Sequence, residues 1–120
     1  MKFDVLEHYY RVSANPKCVD RAFLTQLIDG CADVVAQADY QSKPFLVIVE
    51  CDTLKLDSID AIETWNHAAK RGMQRAAIAY VIVGRPISTV TQFIEKYTQN
   101  RGMRVRYFSD ENSAVQWLLE

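Results

Sequence analysis

Two residues able to do chemistry, Cys51 and Asp52, sit close behind an unbroken apolar run, Phe45-Leu46-Val47-Ile48-Val49. A cysteine reacts as its thiolate. No histidine is near Cys51 in sequence to take its proton, and Glu50 and Asp52 on either side oppose a further negative charge. A structural thiol is the plainer reading. Asp52 follows a central strand, where a carboxylate can accept a phosphoryl group; a solvated loop aspartate is the plainer alternative. Further along, Gly84-Arg85-Pro86-Ile87-Ser88-Thr89 joins a cation, two hydroxyls and the start of a helix. Backbone N–H groups there can hold an anion together with Arg85. The glycine spacing and lysine of a Walker loop are missing, and ordinary helix capping competes with anion binding. Arg101, Arg104 and Arg106, with Tyr107, form a basic patch too small to predict a nucleic-acid partner. His8 and His67 lack ligand spacing with Cys18, Cys31 and Cys51, so neither a metal nor a cofactor is expected.

The totals narrow the field. The chain of 120 residues is one domain's worth, taken as a single domain over 1–120. With 49% hydrophobic and 24% charged residues it can bury one core without staples. A formal charge of −1 gives no general attraction to nucleic acid or to an anionic membrane. Three cysteines without CxxC spacing read as free thiols in a reducing compartment. Met1-Lys2-Phe3-Asp4 lacks the apolar run of a signal peptide, and no segment approaches the ~20 apolar residues of a membrane span. A cytoplasmic location without membrane insertion is expected.

The elements that must position these residues follow from pattern. Residues 3–14 read as extended, with a break at Leu6, His8 and Tyr9 that a bulge or two short strands would explain. Cys18 to Ala38 has a helical stripe, and Gly30 inside it marks either close packing on a sheet or a break. Residues 39–44 form a polar connection. Phe45–Val49 has no alternation, as in a strand covered on both faces. Asp57 to Arg71 is a helix capped at Asp57 or Ser58, with Ile59, Ile62, Trp65, Ala68 and Ala69 as its inward stripe. Arg71-Gly72-Met73 and Arg101-Gly102-Met103 each close a helix, with glycine in the left-handed position and methionine after it. Ala76–Val83 is a strand and Ile87–Asn100 a helix with Val90, Phe93, Ile94 and Tyr97 inward. Met103–Phe108 alternates strictly, as an edge strand does, and Ser109 or Asp110 caps a last helix. The order is βαβαβαβα, an α/β fold with a four- to five-stranded, mostly parallel sheet and four helices.

Two stretches together carry a resemblance. Val47-Ile48-Val49-Glu50 with Leu56-Asp57-Ser58-Ile59-Asp60-Ala61-Ile62 resembles the strand, loop and Asp-Ser helix start of STAS domains, the anti-sigma-factor antagonist (SpoIIAA-like) superfamily. Trp65, the Ala76-Ala77 strand start and Arg106-Tyr107-Phe108-Ser109 with Ala114-Val115-Gln116-Trp117-Leu118 resemble small stand-alone bacterial SpoIIAA-like proteins of unassigned role. The resemblance spans about residues 44 to 119. Some of that wider group are also compared with lipid-binding Sec14-like domains. In antagonist proteins a partner kinase phosphorylates the hydroxyl after an Asp-Ser pair. Asp57 and Ser58 match that pair, but Ile59 replaces the acceptor and Asp60 the following glycine. The N-terminus also reads one strand short of the family's opening hairpin. Asp52 resembles the acceptor aspartate of response-regulator receivers, but no acidic pair ends the first strand and no lysine follows a fifth.

The resemblance implies a non-enzymatic, cytoplasmic protein-interaction module without an intact phospho-acceptor motif. Its candidate regulatory helix start is Asp57 and Ser58, and its candidate partner or ligand surface is Asp52, Thr53, Arg85, Ser88 and Thr89. A protein partner is expected, and a homodimer stays open. The alternative is a carrier or sensor of an anionic metabolite or lipid, with a pocket near Arg85.

Overall fold

The computed structural model describes residues 1–37 and 43–120. Eleven elements follow one another: β1 (Lys2–Val5), β2 (Tyr10–Ala14), β3 (Cys18–Val19), α1 (Arg21–Gln37), β4 (Phe45–Val49), β5 (Thr53–Leu54), α2 (Ser58–Lys70), β6 (Ala77–Ile82), α3 (Thr89–Gln99), β7 (Arg104–Phe108) and α4 (Glu111–Leu119). The main sheet has five strands in the order β1-β2-β4-β6-β7. β1 and β2 form an antiparallel hairpin, and every other neighbour pair is parallel.

Each crossover, β2-α1-β4, β4-α2-β6 and β6-α3-β7, moves one place in the same direction. Such crossovers share a hand, so winding one way puts all three helices on one face. Phe23, Leu27, Ala61 and Ile94 from those helices pack with Tyr10, Val12, Phe45, Val47, Ile78 and Tyr107 of the sheet in the larger core. Fully burying a side chain such as Phe45 or Ile78 contributes about 1.5–3 kcal/mol. Among the described residues only α4 lies on the other face, where Ala114 and Leu118 cover Leu46, Ala79 and Val81. β4 is therefore buried on both sides, which is why it reads as a continuous apolar run.

Several expectations change. The N-terminus is not short of a strand: Leu6–Tyr9 is the turn of a full hairpin. Cys18 and Val19 are not helical; they pair with Thr53 and Leu54 in a small parallel ladder outside the main sheet. α1 begins after Asp20, whose Oδ1 accepts from the Phe23 N–H at 2.9 Å. Ala38 and the connection over 39–42 lie outside the described residues. Gly30 does serve close packing: a Cβ placed there would lie 2.5 Å from Cζ of Phe3.

The inward stripes of α2 and α3 are also displaced. α2 buries Ala61 and Ala68, while Ile59 is 61% exposed and Ile62 36%. α3 buries Thr91, Ile94 and Thr98, while Phe93 is 41% exposed. Thr98 tolerates burial because its hydroxyl donates back to the Ile94 carbonyl at 2.8 Å. Both helices close as their glycines require. Gly72 and Gly102 have φ of 75° and 91°. The N–H groups of Met73 and Met103 reach back to the carbonyls of Ala68 and Thr98, and both methionines are buried.

Candidate functional site

The candidate residues all gather at one end of the sheet, beyond the C-terminal ends of β4 and β6. Asp52 and Thr53 leave β4 through the small ladder, where both backbone N–H groups donate to the Lys17 carbonyl at 3.0 Å. Arg85, in the turn after β6, donates a guanidinium hydrogen bond to the Asp52 carbonyl oxygen. That bond ties the two loops together through the backbone; the Asp52 carboxylate is exposed and is not its acceptor.

The helix starts use their side chains locally. Asp57 is the N-cap of α2: its carboxylate accepts from the Asp60 N–H at 2.9 Å, and the Asp60 carboxylate accepts from the Asp57 N–H at 3.0 Å. Asp60 also lies 3.7 Å from Arg21. Ser58 follows the cap and is exposed, with Ile59 beside it. Ser88 is the N-cap of α3 and accepts from the Thr91 N–H at 3.2 Å, while the Thr91 hydroxyl accepts from the Ser88 N–H at 3.0 Å. Thr89 is exposed in the first turn. Capping therefore engages Asp57 and Ser88.

The geometry beneath them is closed. The space beside Arg85, lined by Ile82, Pro86, Ile87, Thr91 and Tyr107, has a volume of about 10 Å³. That is no more than a single water needs. The larger void under α2 and α3 has a volume of about 20 Å³, and its walls include Thr64, Trp65, Tyr80 and Tyr107. A drug-sized ligand needs at least ~300 Å³. Open α/β sheets form ligand crevices where the strand order reverses. β2, β4, β6 and β7 never reverse, so the fold lacks that crevice at its C-terminal end.

Burial governs the titrating groups of the core. The Cys31 thiol is pushed up to about 12 by burial. Burial likewise raises Tyr80 well above its ordinary value, with the neighbouring Tyr107 and Cys31 adding to it. Tyr107 is raised by burial and then by Glu95. These groups are neutral at physiological pH. The Nε2 of His67 lies 2.7 Å from Asp29 Oδ1, in a seam where Arg71 also meets Asp29 and Asp33. Among the described residues no group of three or more His, Cys, Asp or Glu side chains is placed to hold a metal ion. No helix among them is long and apolar enough to cross a membrane.

The sequence reading missed the apolar surface around these loops. Nine large apolar side chains are exposed among the described residues, and five of them, Ile59, Ile62, Val83, Ile87 and Phe93, come from the loops and opening turns of α2 and α3. Phe93 stacks on Tyr97 with ring centroids 6.0 Å apart, and Arg101 lies over both Tyr97 and Trp65. An aromatic seam thus continues the surface between the two parallel helices. No family model, no curated protein and no solved structure matches the chain.

Proposed function

We propose that this chain is a non-enzymatic, cytoplasmic protein-interaction module of the SpoIIAA-like type, and that the C-terminal end of its sheet is the contact face. The observation that carries this reading is the exposure of Ile59, Ile62, Val83, Ile87 and Phe93 on the loops and opening turns of the neighbouring helices α2 and α3. Apolar side chains gathered on a surface mark interaction sites, whereas scattered ones need no explanation. The Asp57–Ser58 helix start keeps the resemblance's shape, and exposed Ile59 occupies the acceptor position as a contact residue.

A carrier of an anionic metabolite or lipid has less support. The space beside Arg85 is too small, and the guanidinium is engaged with the Asp52 carbonyl. Affinity capture from the native lysate tests the main reading. Wild-type protein should retain a specific partner that Ile59→Asp/Phe93→Asp loses while keeping its melting temperature. Recovery of the same proteins by both would remove the contact face from the account.

A further inference from the structure

We propose that the free edge of β1 pairs with β1 of a second copy of this chain, antiparallel and centred on Phe3, so that one sheet runs through a symmetric dimer. This edge is separate from the contact face above and stands or falls independently of it.

The two edges of the sheet are treated differently. On β7 the backbone groups that point outward belong to Val105 and Tyr107, because the Arg104 N–H turns inward to the Ala76 carbonyl. One group of each is engaged by a side chain of α3. The Tyr107 N–H donates to Glu95 Oε1 at 2.6 Å, and Gln99 Nε2 donates to the Val105 carbonyl at 3.0 Å. An added strand would have to break both bonds, so that edge is sealed.

On β1 the Leu6 N–H donates to the Tyr9 carbonyl at 3.0 Å. Antiparallel ladders alternate, so Lys2 and Asp4 also turn their backbone groups toward β2, while Phe3 and Val5 turn theirs outward. Among the described residues no side chain bonds those outward groups. Met1 and Val5 are 53% and 62% exposed along the same edge. An unpaired row with apolar flanks is a template for strand addition.

The side chains select the partner and the register. Outward groups must meet outward groups, so residue 3 can face residue 3, residue 5 or residue 1 of the other copy. The second register sets Asp4 against Asp4 and the third Lys2 against Lys2, and like charges directly opposite are unfavourable. The first sets Phe3 against Phe3, Lys2 against Asp4, Asp4 against Lys2, and Met1 against Val5. Within one chain Lys2 and Asp4 already share a face, 3.9 Å apart. The edge is thus complementary to itself under a twofold axis, the condition for an isologous interface. So short an edge lies at the low end of interface sizes, and the dimer therefore builds up with concentration.

Sedimentation velocity from about 10 μM to about 1 mM tests this. The wild-type mass should rise from 13.8 kDa toward twice that value and no further. Val5→Pro removes an outward N–H that the monomer does not use, so it should keep the fold and abolish the rise. Lys2→Asp should weaken the dimer about tenfold or more by setting acid against acid at two symmetric places. Adding Asp4→Lys to it should restore pairing by swapping the charges. If Val5→Pro fails to fold, the charge pair carries the test alone. A wild-type chain monomeric throughout, a mass beyond two copies, undiminished pairing in folded Val5→Pro, or indifference to the charge reversal would each overturn the proposal.

Discussion

Gly30→Ala should destabilise this protein, against the ordinary preference of helices. Alanine in a helix interior is favoured over glycine by about 1 kcal/mol. Here the added Cβ would lie 2.5 Å from Cζ and 3.1 Å from Cε2 of Phe3. Carbon atoms in good contact are about 3.5–4.0 Å apart, so the ring must retreat by about 1 Å. Overpacking of that kind costs about 1–3 kcal/mol. The net expectation is a loss of about 1 kcal/mol. In a Phe3→Ala background the obstacle is gone, and Gly30→Ala should then stabilise by about 1 kcal/mol. The coupling between the two positions is therefore about 2 kcal/mol. Urea unfolding of the four variants, followed by the fluorescence of Trp65 and Trp117, measures it. Additive effects would refute the argument, because they would mean that the Phe3 ring does not lie on Gly30 and that the hairpin is not anchored to α1 as described.

Three other outcomes follow from the same geometry. Asp110→Ala removes the N-cap of α4 and should lower the melting temperature. The hydrogen bonds from the Ser113 N–H and hydroxyl hold the Asp110 carboxyl below its ordinary 3.8. A lowered carboxyl stabilises above its unfolded value and loses that contribution as pH falls through its folded value. Wild type and variant should thus differ in melting temperature at neutral pH and converge only in acid below pH 3.8. Cys31 works in the opposite direction: its folded thiol sits at about 12 against 9.0 for the free group, so unfolding free energy should fall as pH rises between those values. In Cys31→Ala, melts across that range should begin their decline later, where the tyrosines start to ionise in the unfolded chain. Glu95→Ala should cost about 1–3 kcal/mol by leaving the Tyr107 N–H without its acceptor, and light scattering should register association at the opened β7 edge.

Much of the frame was readable because local chemistry decides it. β4 announces itself by five apolar residues in a row, a pattern that burial on both faces produces. The ends of α2 and α3 were legible because Gly72 and Gly102 supply a backbone conformation that other residues adopt at a cost. The capping box of Asp57 and Asp60 lies within four residues of sequence. What escaped depends on tertiary approach. Ala68 and Ile94 face the core as expected, with Trp65 and Val90 packed beside it, but α2 also faces it through Ala61 and α3 through Thr91 and Thr98, small or polar residues that a reading weighted toward large apolar ones passes over in favour of Ile59 and Phe93. The β3–β5 ladder joins two residues to two others more than thirty positions away, beneath any pattern a single strand can carry. The turn over Leu6–Tyr9 has no glycine, asparagine or proline to mark it. Of the candidate site, the residues at the loop ends were identified, but their engagement in caps and the apolar surface around them were not.

The most direct test of the contact face is site-specific photo-crosslinking inside living cells. A benzophenone amino acid placed at Ile59, and separately at Phe93, should give a discrete adduct with another protein, and the same amino acid at exposed Gln116 on α4 should not. No adduct from either apolar position, or the same adduct pattern from Gln116, would contradict the account.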